Sequence, residues 1–122
     1  MSRQEDLNNL IANISNDLDG FIGASVVDLD TGMSLASASK MANFDLDVAS
    51  AYNSEMVKAK YKTIKALGLD TGLEDMLLTL DDQLHLIRML DDQSFIYVAV
   101  DRHSSNLALL RTSVKRRIAE VA

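Results

Sequence analysis

Two stretches late in the chain, Leu84–Leu90 and Phe95–Asp101, are apolar on both faces, and this limits the available folds more than any other feature. In an extended strand, alternate side chains point to opposite sides. Leu84, Leu86 and Leu90 therefore project one way and Ile87 and Met89 the other, while Ile96, Val98 and Val100 oppose Phe95, Tyr97 and Ala99. A sheet built on such strands must be covered on both sides. A chain of 122 residues has room for one core, so the cover must come from helices of the same domain, taken as residues 1–122.

Three segments have the required periodicity. Ser2 and Glu5 form a capping box ahead of Leu7, Leu10, Ile11, Ile14 and Leu18, which predicts a helix over about Arg3–Leu18, ended by Asp19-Gly20. A hairpin follows, with Phe21–Leu29 and Met33–Ala38 reversing at Asp30-Thr31-Gly32. Asp45 caps a second helix that runs to about Leu67, with Gly68 placed for a left-handed end. Asp75–Leu80, Leu84–Leu90 and Phe95–Asp101, parted by turns too short for crossovers, form an antiparallel meander. Ser104 or Ser105 then caps a last helix striped by Leu107, Leu110, Val114, Ile118 and Val121. The order is αββαβββα, with helices 1 and 3 on one face of the sheet and helix 2 on the other. The scattered methionines (Met1, Met33, Met41, Met56, Met76 and Met89) read as core filler.

The second helix has two adhesive stripes where its own fold needs one. Leu46, Ala49, Met56, Val57, Ile64 and Leu67 share an arc assigned to the sheet. Val48, Tyr52, Glu55, Ala59, Lys62 and Ala66 repeat at alternating spacings of four and three, the spacing of a helix–helix seam. In an antiparallel pair of copies centred near Ala59, Glu55 meets the second copy's Lys62 and Tyr52 its Ala66, as two-fold symmetry requires. The row thus predicts a homodimer interface. Lys58, Lys62 and Lys65 form a basic stripe on an otherwise acidic protein, suited to an acidic partner surface.

The remaining patterns exclude more than they support. A net charge of −6 speaks against nucleic acid. With no cysteine, no signal-like start and no apolar run long enough to span a bilayer, a cytoplasmic protein without membrane insertion is expected. Asp-Thr-Gly occurs at Asp30–Gly32 and again at Asp70–Gly72, as in aspartic hydrolases, but those place two carboxylates about 3 Å apart in a fold made almost wholly of strands. Turn residues in turns are the simpler reading. Asp101, His103 and Ser104 are too close in sequence to converge as a triad, and His85 on a half-buried strand reads as a hydrogen-bonded structural histidine. No phosphate-binding glycine loop and no metal-spaced histidine pair is present. No catalytic residue, metal or cofactor is expected; a hydrolase and a ligand-binding sensor with a pocket between layers stay as alternatives.

Gly20-Phe21-Ile22-Gly23-Ala24-Ser25-Val26-Val27-Asp28, the turn ending in Gly32, the run Leu84–Arg88 continuing through Phe95–Arg102, and Asn106–Arg111 together resemble the roadblock/dynein light chain family of small longin-like domains. The resemblance covers nearly the whole chain and rests on the order of core positions, with no catalytic signature. It implies a five-stranded sheet in the order 2-1-5-4-3, homodimers joined through the second helix and third strand, and, as in bacterial roadblock-type members, non-enzymatic regulation or scaffolding of a small Ras-like GTPase or a multiprotein assembly. The glycine-free Asp-Asp-Gln turns and the polar flank over Asn43–Lys65 depart from the family pattern.

Overall fold

Each helix begins where a short polar side chain can satisfy its free amides. In a computed structural model that describes residues 2–121, Ser2 Oγ accepts from the Glu5 amide at 3.1 Å and opens α1 (Arg3–Asp17). Met1 and Ala122, the ends of the expected domain, lie outside the described residues. Asp45 Oδ1 accepts from the amides of Asp47 and Val48 and opens α2 (Leu46–Ala66). The cap of α3 (Leu107–Val121) is Asn106, whose Oδ1 accepts from Leu109 at 2.9 Å. Ser104 and Ser105 do not hold that place. Ser104 instead donates through its amide and hydroxyl to Asp101, tightening the turn out of the last strand.

The strands are β1 (Phe21–Asp28), β2 (Ser34–Ser39), β3 (Asp75–Thr79), β4 (Gln83–Met89) and β5 (Ser94–Asp101). They form one antiparallel sheet in the order β2-β1-β5-β4-β3. Several ends differ by one residue from the periodicity, because the pairing partner ends each ladder. Leu29, Met33, Leu80 and Leu90 fall in the turns, whereas Ser39, Gln83 and Ser94 pair and extend their strands. Leu18 is the buried residue that closes α1.

Two cores flank the sheet, divided as the alternation of β4 and β5 requires. Leu84, Leu86, Ile96, Val98 and Val100 pack under α1 and α3 with Leu7, Leu10, Ile14, Leu110 and Val114. Ile87, Phe95, Tyr97 and Ala99 pack under α2 with Leu46 and Val57. Met56, Met76 and Met89 pad this second core, while Met33 and Met41 are exposed and fill nothing.

Candidate functional site

The surface left for recognition follows from where α2 rests. At the middle of β1, between Ile22 and Val27, the side chain beneath α2 is small: Ser25 Oγ lies 3.0 Å from Ser50 Oγ. Ser50 and Ser54 are buried on the sheet-facing side of the helix, where Ser54 donates to the Leu29 carbonyl. Small residues let the backbones approach, so α2 sits closest to β1 and β2. Toward β4 and β3 the layer thickens with Tyr97, Tyr61, Met56, Met76 and Met89. Apolar periodicity misses Ser25, Ser50 and Ser54; a run of small residues is the signal that finds them.

The six residues of the expected seam, Val48, Tyr52, Glu55, Ala59, Lys62 and Ala66, all lie on the exposed outer side of α2, with Tyr52 75 % and Val48 51 % exposed. Leu67 does not join the sheet-facing arc. It closes the helix at 65 % exposure, because Gly68 turns the chain with φ of +70° before another helical turn can form. Charge divides α2 along its length, with Asp47 and Glu55 in the first half and Lys58, Lys60, Lys62 and Lys65 in the second. Of the three lysines assigned to a partner, Lys58 is partly engaged already. It donates to the Asp30 carbonyl at 3.0 Å and lies 3.6 Å from Glu55, whereas Lys62 and Lys65 are exposed.

The two edges of the sheet differ. On β2, Gln4 donates to the Leu35 carbonyl, so a side chain occupies an acceptor on that edge. On β3, Met76, Leu77 and Leu78 are only half-buried, and no side chain among the described residues donates to a carbonyl between Asp75 and Thr79. Arg88 and Arg111 instead hold the Asp75 carboxylate and tie β3 to β4 and α3.

A cleft of about 650 Å³ lies between α2 and the β1–β2 and β4–β5 turns, lined by Leu29, Tyr61, Gln93, three aspartates (Asp28, Asp30, Asp92) and Lys58 and Lys62. Asp28 accepts from the amide and hydroxyl of Thr31, which hold its carboxyl below the usual range and build the turn. Asp30 stands in this turn and Asp70 in the segment after α2, and among the described residues no hydrogen bond joins them. Among the described residues no cluster of three acidic or histidine side chains has a metal-binding arrangement. His103 is exposed, and among the described residues no hydrogen bond joins its ring to Asp101 or Ser104.

His85 is half-buried on the α2 side of β4. Its Nε2 lies 2.7 Å from Gln83 Oε1 and its Nδ1 3.0 Å from the Tyr97 hydroxyl. Phe44 and Tyr97 meet the ring edge-on, with centroids at 6.3 and 5.2 Å. Burial lowers the imidazole pKa against the opposing pull of Asp82, and burial pushes the Tyr97 phenol up to about 12, opposed by the neighbouring Asn53 side chain.

No protein-family model matches the chain, and no curated protein matches it in sequence. Solved structures do match in shape. MglB of Myxococcus xanthus superposes with a TM-score of 0.87 at 16 % identity, over 99 % of this chain and 88 % of that one. A Roadblock/LC7 domain from Streptomyces avermitilis gives 0.82 at 16 % identity over 95 % and 94 %. The gliding protein MglB of Thermus thermophilus gives 0.81 at 15 % identity over 100 % and 93 %. At these identities the likeness is one of fold, and the fold is the roadblock/LC7 fold that the ordered core motifs imply.

Proposed function

We propose that the chain is a non-enzymatic homodimer that regulates or scaffolds a small Ras-like GTPase through the outer surface of α2. The observation that carries this reading is the position of α2. It rests toward β1 and β2, leaving the β3 edge and the adjoining α2 flank for a second copy. The β2 edge has the Gln4 side chain on its Leu35 carbonyl and the β3 edge has none among the described residues, which favours growth of the sheet at β3. Two α2 helices brought together antiparallel set the acidic first half of each against the basic second half of the other. The row Val48, Tyr52, Glu55, Ala59, Lys62 and Ala66 is then the seam, and Lys58, Lys62 and Lys65 border it, with Lys62 where the two rows meet. One structural relative is described as MglB with a tetrameric arrangement, so self-association occurs on this fold. The GTPase follows from the family resemblance, which implies regulators that reshape a GTPase without supplying a catalytic residue.

The test has two stages. Analytical ultracentrifugation should find a dimer, weakened by Glu55→Lys and restored when Lys62→Glu is added; a monomer at high micromolar concentration rejects the dimer. A Ras-like GTPase encoded beside this chain should then co-purify in one nucleotide state, and its GTP hydrolysis or nucleotide exchange should change when the dimer is added. Absence of both effects rejects the GTPase reading.

A further inference from the structure

Four large apolar side chains, all more than half exposed, lie at the two ends of α2. Val48 and Tyr52 stand in its first turns, and Leu67 and Leu69 stand at and just beyond its end. One copy cannot bring the two groups together, because Tyr52 and Leu67 lie about 22 Å apart along the helix axis. The fold also leaves the far group uncovered. Gly68, with φ of +70°, turns the backbone so that the Leu69 amide donates back to the Ile64 carbonyl at 3.2 Å, which keeps Leu69 at the helix end. Every residue from Lys65 to Gly72 is exposed, and among the described residues an added Cβ at Gly68 or Gly72 would meet nothing within 4 Å.

Contacts of α2 with the sheet set the side on which Leu67 stands. Lys58 reaches the Asp30 carbonyl and Gly32 lies against Ala51, so one flank is turned to the β1–β2 turn. On the other flank Asn53 neighbours Tyr97, and Met56 packs on the core that Met76 of β3 also covers. Leu67 follows Met56 and Lys60 on this second flank, beside the open β3 edge. Two residues face each other across a two-fold axis when their midpoint falls on it. Tyr52 with Leu67 has its midpoint between Ala59 and Lys60, and Val48 with Leu69 between Lys58 and Ala59. Glu55 with Lys62 gives the latter midpoint again. One pair chosen by charge and two chosen by exposure therefore share a centre. Parallel helices would instead set Tyr52 against Tyr52 and lysine against lysine.

We propose that Tyr52 of each copy closes over Leu67 and Leu69 of the other, an apolar clasp at both ends of the seam that holds the two α2 helices antiparallel and in one register. The inference rests on the dimer reading and names the residues that set its geometry. A tyrosine suits this place, because its ring covers a large area for two rotatable bonds while its hydroxyl stays in water at the rim. Val48 extends the contact toward Leu69.

Sedimentation of the full chain tests the energetics. Tyr52→Ala and Leu67→Ala should each weaken the dimer by about thirtyfold, because one substitution removes contact at both ends, and should leave the helical circular dichroism unchanged. Introduced thiols test the geometry cleanly, since the chain has no cysteine. The double variant Tyr52→Cys, Leu67→Cys should become a disulfide-linked dimer under mild oxidation. Each single variant should stay unlinked, because its two thiols lie about 22 Å apart along the seam. A dimer that keeps its affinity in both alanine variants, stays unlinked in the double variant, or links through Tyr52→Cys alone overturns the clasp and leaves the dimer standing. A wild-type chain that is monomeric at high micromolar concentration overturns the dimer and the clasp with it.

Discussion

Asp17 ends α1 at the pole where a helix dipole disfavours a carboxylate, and α3 compensates. Arg117 approaches it at 2.7 Å, and Ser113 and Arg116 donate to the same group. The Arg117 guanidinium, helped by Ser113 and Arg116 and opposed by burial, holds the Asp17 carboxyl well below its ordinary 3.8. Asp17→Asn should cost about 1–3 kcal/mol at pH 7 in denaturant unfolding. The folded pKa is the lower one, so the unfolded chain binds more protons below the ordinary value. The contribution is complete above about pH 5 and drains as pH falls through 3.8 toward the folded pKa, so wild type and mutant stabilities should converge in strong acid. Gly20 is constrained differently. Its φ is +74°, and an added Cβ would lie 2.8 Å from the Ser104 Cβ. Gly20→Ala should therefore destabilise by about 1–3 kcal/mol, read as a lower urea midpoint at unchanged slope.

Among the elements, α2 shows how residue size positions a helix. Ser50 lies buried against Ser25, so Ser50→Leu should lift α2 from β1 and lower the melting temperature by several degrees, roughly 1–3 kcal/mol of overpacking. For α3, Asn106→Ala should cost about 1 kcal/mol and Ser105→Ala almost nothing in the same unfolding assay, because Asn106 supplies the cap. Three serines or asparagines within reach look alike in sequence. Which one caps is set by Asp101, whose carboxylate takes the amide and hydroxyl of Ser104. The element types and the split of β4 and β5 between two cores were legible because strict alternation leaves no other burial. Strand ends were less so, since the neighbouring strand decides how far a ladder runs.

At the scale of the whole molecule, the surface proposed for recognition is an exposed helix face and a free strand edge. If copies pair there, the melting temperature should rise with protein concentration, and Glu55→Lys should flatten that dependence. High salt should weaken the pairing, because its charge pattern is exposed. The exposed rows Val48–Ala66 and Lys58–Lys65 could be named from spacing alone, but spacing did not reveal that Lys58 is already held by Asp30 and Glu55, nor that His85 links Gln83, Tyr97 and Phe44.

The amino-acid order by itself determined the helices, the hairpin, the meander and the need for cover on both sides of the sheet, because periodicity and turn chemistry act over a few residues and are written locally. Tertiary structure decided how far α2 leans, which sheet edge stays open and which ionic groups are already engaged. Those outcomes depend on side-chain volumes and charges from segments far apart in the chain, such as Ser25 with Ser50 and Asp17 with Arg117, and only the folded arrangement sets their distances.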